Sequence, residues 1–350
     1  MPEVVQLTAP RTAVLVPCPA EPLAPGQVRV RTWYSGISAG TELTTYRGTN
    51  PYLSMRWDAS RRLFVEGTPT FDYPVTGWGY QEVGEVSEVA PDVTAPAPGD
   101  VVYGIWGHRS DAVLPAATLV GQRLPPGVPP LHGVFARVGA IALNAVLAAE
   151  PHLGERVAVF GQGVIGLLAT RLAVLSGAEV LAVDAVPARR ELAARFGAVT
   201  VLPADAAGGA GAAVRDHTGG VGVDVAIELS GSYPALHEAT RSVAVDGVVV
   251  AAGFYQGEGV GLRLGEEFHH NRVRLVASQV GGTPTALGVR WNHARLLTVF
   301  MTQLATGAVD VAPLVSHVVA AEDVGPAFRL LDESPAEVRQ VVLRFPAAPS

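Results

Sequence analysis

The sequence predicts an α/β protein in which a β-rich unit is followed by a doubly wound parallel sheet. From residue 156 onward, short apolar runs of strand length alternate with helical runs, a pattern typical of parallel strands joined by crossover helices. Before residue 124, apolar and polar residues instead alternate with the period of two that marks half-buried strands. The Pro-rich stretch from Leu124 to Pro130 separates the two sequence patterns and is predicted to be a linker.

The elements of each unit follow from these patterns. In the first unit we expect strands at residues 27–34, 83–89 and 101–103. In the second unit we expect strands at residues 156–160, 179–184, 223–228, 247–252 and 273–278, and helices at 134–149, 164–176, 188–196 and 290–304. Residues 206–213 are expected to form a loop or begin a helix, and a Val-rich strand at 340–343 is expected to return to the first unit.

Composition and charge exclude several classes of protein. The 350 residues carry a formal net charge of −7, and all 25 basic residues are arginines without a dense basic cluster, which argues against a nucleic-acid partner. The absence of lysine excludes Schiff-base catalysis. No apolar stretch reaches the roughly 18 residues of a membrane span, and no secretory signal is expected at the N-terminus. Because the single Cys18 cannot form a disulfide within the chain, we expect a cytoplasmic protein.

A glycine-rich segment carries the strongest functional signal. The motif Gly161-Gln162-Gly163-Val164-Ile165-Gly166 follows an apolar strand and opens a predicted helix, which is the context of a dinucleotide-binding turn. Its glycines permit a tight turn, close approach of the diphosphate and close packing of helix on strand, while the helix N-terminus offers N–H groups to the phosphates. The alternative is an ordinary glycine-rich turn between a strand and a helix.

The residue that ends the next strand predicts the coenzyme. Asp184 lies 18 residues beyond Gly166, where a carboxylate binds the ribose hydroxyls and repels a 2′-phosphate, so NAD is favoured over NADP. Arg189 and Arg190 complicate this interpretation, because an arginine in this loop can receive the 2′-phosphate; alternatively, they are solvated charges in the first turn of a helix. NADP therefore stays as the alternative coenzyme.

Three further stretches give the chain a family resemblance. They are Ser35–Leu43, Trp106–Ser110 and Glu267–Arg272. Together with the β-rich first unit and the glycine motif, they resemble the medium-chain dehydrogenase/reductase superfamily over essentially the whole chain, and within it the branch that contains bacteriochlorophyllide a dehydrogenase. The resemblance implies a GroES-like catalytic domain from residues 1–132 and 283–350, a Rossmann domain from residues 133–282, and a homodimer formed through the edge strand at 273–278.

The positions that match the zinc ligands of that superfamily hold other residues. Ser38 stands where zinc members have a cysteine, and Tyr80, in Gly79-Tyr80-Gln81, stands where they have the histidine of a Gly-His-Glu motif. Ala136 stands at the third ligand position. A catalytic zinc needs about three sulfur, imidazole or carboxylate ligands from the protein. The four-cysteine structural lobe of the zinc members is absent as well. We therefore expect no zinc and assign no metal ligand.

By the same resemblance, five side chains are candidates for the catalytic proton transfer. Tyr80 is expected to point towards the substrate as proton donor, or else only lines the pocket. Thr41 matches the hydroxyl that relays protons in the zinc relatives, or bonds its own backbone in a turn. Glu42 matches an acid that orients Tyr80 or Ser38, or pairs with an arginine. Ser38 is itself a catalytic hydroxyl or a hydrogen-bonded loop serine. His108 either reaches the cleft from a loop or is a surface or capping histidine.

Other coenzyme contacts are expected at the carboxyl ends of parallel strands, where a dinucleotide lies in a doubly wound sheet. These residues are Ser230, Gly253, Phe254 and Ser278. Of them, Ser278 is expected to approach the nicotinamide.

The sequence therefore predicts a zinc-independent, NAD(P)-dependent oxidoreductase that interconverts an alcohol and a carbonyl on a small substrate, including natural products of secondary metabolism. Aromatic residues crowd the first domain and favour a bulky or ring-shaped substrate if they line the cleft: Trp33, Tyr46, Tyr52, Trp57, Trp78 and Tyr80. Two alternatives stay open. One is reduction of an activated carbon–carbon double bond, as in zinc-free relatives resembling quinone reductases, and the other is a dinucleotide-binding protein without catalysis.

Overall fold

The computed structural model describes residues 1–349, which divide into two compact units. Unit 1 comprises residues 1–137 together with those from 301 onward, and unit 2 comprises residues 138–300. Both junctions lie later in the chain than the predicted division at residues 133 and 283. The second junction is shifted because Phe300 is fully buried against Gly139 of unit 2, where an added Cβ would lie 2.2 Å from the Phe300 ring.

The first part of unit 1 contains strands β1 to β9 and helix α1. The strands are Glu3–Ala9, Thr12–Pro17, Gln27–Ile37, Arg56–Asp58, Leu63–Val65, Val75–Thr76, Glu82–Val89, Val101–Gly104 and Asp111–Pro115. Helix α1 is Thr41–Arg47, and short 3₁₀ turns lie at Pro51–Leu53, Ala116–Leu119 and Pro130–Phe135. The three predicted strands of this unit are confirmed as β3, β7 and β8.

Unit 2 is built on a parallel sheet. Its strands β10 to β15 are Arg156–Phe160, Glu179–Asp184, Thr200–Pro203, Val223–Glu228, Val243–Ala251 and Arg274–Ala277. They lie in the order β12-β11-β10-β13-β14-β15 with parallel neighbours, which is the order of dinucleotide-binding doubly wound sheets. Helices α2 to α7 are Ala136–Ala149, Val164–Leu175, Pro187–Arg195, Ala210–His217, Tyr233–Ser242 and His293–Ala305, with a π turn at Leu264–Phe268 and a 3₁₀ turn at Thr285–Arg290.

The central strands of this sheet are apolar because both of their faces are buried. Val157, Ala158 and Val159 of β10 are completely shielded from solvent. The predicted strands and helices of this unit are confirmed to within a few residues at each end. The stretch 206–213 contains the start of α5 at Ala210.

One helical stretch, Pro130–Ala149, is long and apolar enough to cross a membrane, although the sequence suggested no such segment. Of its most apolar window, 67% is buried inside the protein. Ala140, Ala142 and Ala145 on this stretch are completely buried. This is the burial of a core helix.

The C-terminal segment completes unit 1. It contains strands β16 and β17 at Val315–Ala320 and Gln340–Arg344, helix α8 at Val324–Glu333, and 3₁₀ turns at Ala312–Leu314 and Ala321–Asp323. Strand β17 pairs antiparallel with β3, as predicted for the Val-rich strand. The resulting sheet runs β16-β17-β3-β7-β8 with β9 also on β3, beside a small sheet β2-β1-β6 and the hairpin β4-β5. The predicted α/β fold, with a GroES-like and a Rossmann part, is confirmed.

Candidate functional site

The glycine motif forms the turn between β10 and α3. Gly161 has a φ of +86°, which favours glycine, and an added Cβ at Gly166 would lie 1.8 Å from the Gly161 carbonyl oxygen. Gly163 differs, since an added Cβ would meet no atom within 4 Å. It stands at the N-cap of α3, so the N–H groups of the first turn, including those of Val164 and Ile165, face this open space. The turn therefore leaves room for an anion at a helix N-terminus.

Asp184, at the end of β11, braces that turn. Its carboxylate accepts hydrogen bonds from the Gln162 N–H at 2.6 Å and the Val186 N–H at 2.8 Å. Arg189 lies 3.9 Å from the same carboxylate, whereas Arg190 donates to the carbonyl oxygens of Asp184 and Ala185. The negative charge of Asp184 is thus held in a fixed position beside the glycine motif.

Glu228, at the end of β13, holds together the loops that follow strands β13 and β14. Its buried carboxylate accepts hydrogen bonds from the N–H and the hydroxyl of Ser230, from the Gly231 N–H and from the Tyr255 hydroxyl. Its carbonyl oxygen accepts the N–H groups of Ala252 and Gly253. Burial raises the pKa of Glu228. One residue therefore ties the loop of Ser230 to the loop of Gly253.

Two more predicted contacts lie at strand ends. The side chain of Phe254, which follows Gly253, is 41% exposed. Ser278 directly follows β15 and donates its N–H to the Ala251 carbonyl oxygen at 3.0 Å. The predicted coenzyme residues of unit 2 thus lie at the carboxyl ends of β10, β11, β13, β14 and β15.

In unit 1, the candidate proton donor lies in a cluster of hydroxyl groups. Tyr80 is half-buried and donates to Ser38 Oγ at 2.5 Å, and the neighbouring Thr41 side chain acts to lower the pKa of its phenol. Ser38 follows β3, Thr41 begins α1, and Tyr80 precedes β7, so three adjacent element ends bring these groups together. Burial, helped by the nearby Glu42 charge, raises the pKa of Tyr80 to about 12, against the opposing influence of Arg137.

Glu42 and His108 form a buried ion pair. Their atoms Oε2 and Nε2 lie 2.7 Å apart, and both side chains are shielded from solvent. His108 Nδ1 lies 2.6 Å from Ser35 Oγ, which donates its only proton to Glu82 Oε1 at 3.0 Å. Because Nε2 faces the Glu42 carboxylate, the negative charge of that carboxylate favours the protonated ring.

This pair corrects two expectations. His108 is neither a surface nor a capping histidine and does not lie open to a cleft, because Glu42, Ser35 and the backbone of Gly79 enclose its ring. Glu42 pairs with a histidine instead of an arginine. Although burial disfavours the charged ring, the Glu42 carboxylate raises the pKa of His108 above its ordinary value. The pair acts on Tyr80 through the charge of Glu42, whose Oε1 is buried without a hydrogen-bond partner.

The residues at the three superfamily ligand positions do not fit zinc. Ser38 and Tyr80 are bonded to each other through their hydroxyl oxygens, and the buried Ala136 has no ligand atom. Zinc in proteins is held by thiolate, imidazole or carboxylate groups. No step in the chemistry of this cluster is therefore assigned to zinc.

Elsewhere in residues 1–349, one group of side chains has metal-ligand chemistry. It consists of His237, Glu266 and Glu267 of unit 2, whose ligand atoms lie within 4.8 Å of one another. Arg263 lies 3.3 Å from Glu266, and Arg241 lies 3.3 Å from Glu267. Both carboxylates are thus already paired with arginines.

Comparisons with known proteins show that the chain is similar to dehydrogenases. Residues 164–290 match the family described as zinc-binding dehydrogenase. D-guloside 3-dehydrogenase of Escherichia coli strain K12 is 29% identical over 322 residues, which cover 89% of this chain and 91% of that enzyme. The 2-desacetyl-2-hydroxyethyl bacteriochlorophyllide A dehydrogenase of Rhodobacter capsulatus is 32% identical over 179 residues, or 47% of this chain and 50% of that enzyme.

Solved structures show the same fold. The crystal structure of 2R,3R-butanediol dehydrogenase from Bacillus subtilis matches with a TM-score of 0.80 over 98% of this chain and 99% of that one, at 20% identity. The likeness therefore extends over both units.

Two residues of the site were not singled out from the sequence. Arg137, whose charge acts on Tyr80, directly follows the third ligand position, and its position in the sequence gave no sign of a role in the site. Glu228 carried a usable signal, since it is an acid at the end of a central parallel strand, as Asp184 is. The hydrogen-bond donors that the fold brings to Glu228 could not be identified from the sequence.

Proposed function

We propose that this chain is an NAD(P)-dependent oxidoreductase of the medium-chain type and that it interconverts an alcohol and a carbonyl without zinc. When bound, the nicotinamide supplies or accepts the hydride. The chain itself must hold the coenzyme and move one proton. The glycine motif, Asp184 and the loops fixed by Glu228 serve the first task, and the Tyr80 cluster serves the second.

The observation that carries this proposal is the Tyr80 hydroxyl, which is bonded to Ser38 and stands at the position that matches a metal ligand of the zinc relatives. In carbonyl reduction, the Tyr80 hydroxyl gives its proton to the substrate oxygen, and in alcohol oxidation it takes that proton back. The Ser38 hydroxyl holds the phenol in place, and it offers, with the neighbouring Thr41 hydroxyl, a path for the replacement proton. The Arg137 guanidinium stabilises the phenolate left behind.

The pKa of Tyr80 predicts opposite pH profiles for the two directions. Because this pKa is raised to about 12, the phenol stays protonated from about pH 7 to about pH 10. Carbonyl reduction, which needs the phenol, should show no alkaline loss in that range, whereas alcohol oxidation, which needs the phenolate, should keep rising. Steady-state kcat measured across this range tests both. A loss of reduction with a midpoint near pH 10 that disappears in Tyr80→Phe would contradict the raised pKa of Tyr80, and a pH profile that is the same in the wild type and in Tyr80→Phe would contradict its assignment as proton donor.

NAD is proposed as the preferred coenzyme because of the fixed charge at Asp184. Asp184→Asn removes that charge but retains a hydrogen-bond acceptor. The ratio of kcat/KM with NAD to kcat/KM with NADP is expected to fall about tenfold, which corresponds to about 1.4 kcal/mol. The matched control is Asp224→Asn, since Asp224 also accepts a backbone N–H, from Arg156, within the same sheet. An unchanged ratio in Asp184→Asn would refute the role of this charge.

A ring-bearing substrate is supported by a series of aromatic contacts in unit 1. Neighbouring ring centroids lie 4.9–5.2 Å apart along this series. It runs through Trp57, Phe64, Tyr52, Phe71 and Trp78. Phe64, the second ring of the series, is 38% exposed, and Trp78 at its end stands two residues before Tyr80. Aromatic faces pack well against sugar and macrocycle rings, and the names of the guloside and bacteriochlorophyllide enzymes describe substrates of that shape.

A substrate panel tests the reaction itself. The purified protein is assayed with NAD(H) and NADP(H) against cyclic alcohols, glycosides and their ketones, and against conjugated enones. Oxidation of a ring alcohol, or reduction of its ketone, is the expected result. Turnover confined to enones would instead establish a double-bond reductase, and coenzyme binding without turnover would establish a protein without catalysis.

A cytoplasmic homodimer is the proposed assembly. Strand β15 ends the parallel sheet, and its Leu275 and Val276 are each 39% exposed. An edge strand leaves backbone groups unpaired, and a second copy related by a two-fold axis would pair them. Light scattering is expected to give twice the chain mass for the protein and a lower mass for Val276→Arg. A wild-type mass of one chain would contradict the dimer.

A further inference from the structure

Asn144 links helix α2 to the segment that follows the edge strand. Its side chain is 2% exposed. The amide Nδ2 donates towards Ser278 Oγ at 3.2 Å, the Gly282 carbonyl oxygen at 3.1 Å and the Gln279 carbonyl oxygen at 3.5 Å. A single buried side chain therefore holds both ends of the five-residue segment 278–282.

The segment has little regular structure of its own. Its other hydrogen bonds are local or lie at its start: the Ser278 N–H donates to the Ala251 carbonyl oxygen, and the N–H groups of Gly281 and Gly282 donate to Gln279. Two consecutive glycines give this backbone high conformational freedom. The bonds from Asn144 consequently restrict a part of the chain that would otherwise have many alternatives.

The other half of the Asn144 amide is unsatisfied. Its Oδ1 is buried and has no hydrogen-bond partner. Exchanging the amide O and N would place an oxygen against two carbonyl oxygens, so the orientation is fixed by the partners. A buried acceptor without a donor costs about 1–3 kcal/mol, and this cost offsets part of the stabilisation that the Nδ2 hydrogen bonds provide.

We propose that Asn144 is a positioning residue for the nicotinamide end of the coenzyme. It acts through the Ser278–Gly282 segment, which lies at the carboxyl end of a parallel strand, the edge at which dinucleotides bind. The glycine motif and Asp184 serve the diphosphate and the adenosine ribose and do not depend on this bond. The proposal rests on the proposed function, because it requires that NAD(P) binds.

The experiment compares two ligands that differ in the nicotinamide. Calorimetry measures the Kd of NADH and of ADP-ribose, which lacks the nicotinamide, for the wild type and for Asn144→Leu. The Kd of NADH is expected to rise about tenfold, while that of ADP-ribose changes by less than about twofold. Leu removes the unsatisfied Oδ1 but also takes the Nδ2 donor away from the Gln279 and Gly282 carbonyl oxygens, so these two effects oppose each other and only a small change in unfolding temperature is expected.

Three outcomes would overturn the inference: no change for either ligand, equal weakening of both, or a lower unfolding temperature with unchanged NADH affinity. Asn144→His, which keeps one N–H donor, should recover part of the NADH affinity. If Asn144→Leu does not fold, Asn144→Ala is tested instead, and its changes in the Kd of NADH and the Kd of ADP-ribose are compared in the same way. A wild-type protein that binds neither ligand would instead refute the proposed function, so the two failures are distinguishable.

Discussion

Replacement of Gly163 by valine is expected to abolish NAD(H) binding while the protein still folds. The position has no atom within 4 Å of an added Cβ and a φ of −69°, so a side chain fits the free protein. That side chain would occupy the space above the N-terminus of α3, where the diphosphate must approach the backbone. The Kd of NADH, measured by calorimetry, should rise at least about 100-fold. The weaker helix cap should lower the free energy of unfolding by about 1 kcal/mol or less.

The matched control is Gly265→Val. Gly265 is an exposed residue of unit 2 whose added Cβ also meets no atom within 4 Å, but it lies outside the glycine motif. Its valine variant should bind NADH as the wild type does. Normal binding by Gly163→Val would show that the coenzyme does not use this turn.

Removal of the Tyr80 hydroxyl is expected to have the largest effect on catalysis. Tyr80→Phe keeps the ring but loses the proton that we assign to the substrate oxygen. General acid–base groups contribute about 100- to 10,000-fold to rates, and kcat should fall within that range for both directions of the reaction. The Kd of NADH should stay unchanged, because the residues assigned to the coenzyme do not include Tyr80.

Tyr103→Phe is the control for this variant. The Tyr103 phenol also has its pKa raised to about 12 by burial, but its hydroxyl bonds the Gly121 carbonyl oxygen instead of the Tyr80 cluster. Its kcat should stay near the wild-type value. Equal losses in both variants would indicate a general effect of removing a buried phenol, and an unchanged kcat in Tyr80→Phe would remove Tyr80 from the proton transfer.

The parallel sheet was predictable from sequence because its signals are local. Strands such as β10 and β11 are continuous apolar runs bounded by glycine or acid residues, and the motif Gly161–Gly166 lies between a strand and a helix that are adjacent in the chain. Helix α8 was not among the predicted elements, and its first turn contains Gly325 and Pro326. Proline is tolerated in the first turn of a helix, where its missing N–H has no intrahelical partner.

The polar networks were not predictable because they join distant residues. His108 meets Glu42 and Ser35, 66 and 73 residues away, so a titratable residue on a loop became a buried ion. Asn144 meets the 278–282 segment 134 or more residues away. Residue type indicated that each of these side chains can form hydrogen bonds, but only the fold determines the partner and the burial, and these decide protonation and role.

Metal content measured together with turnover tests the central claim most directly. The protein is purified, its zinc is quantified by mass spectrometry, and turnover of a substrate found in the panel is measured before and after treatment with a strong chelator. With Tyr80 in place of a metal ligand, we expect no stoichiometric zinc and the same turnover after chelation. Close to one zinc per chain, with turnover lost on its removal and restored on its return, would contradict the claim.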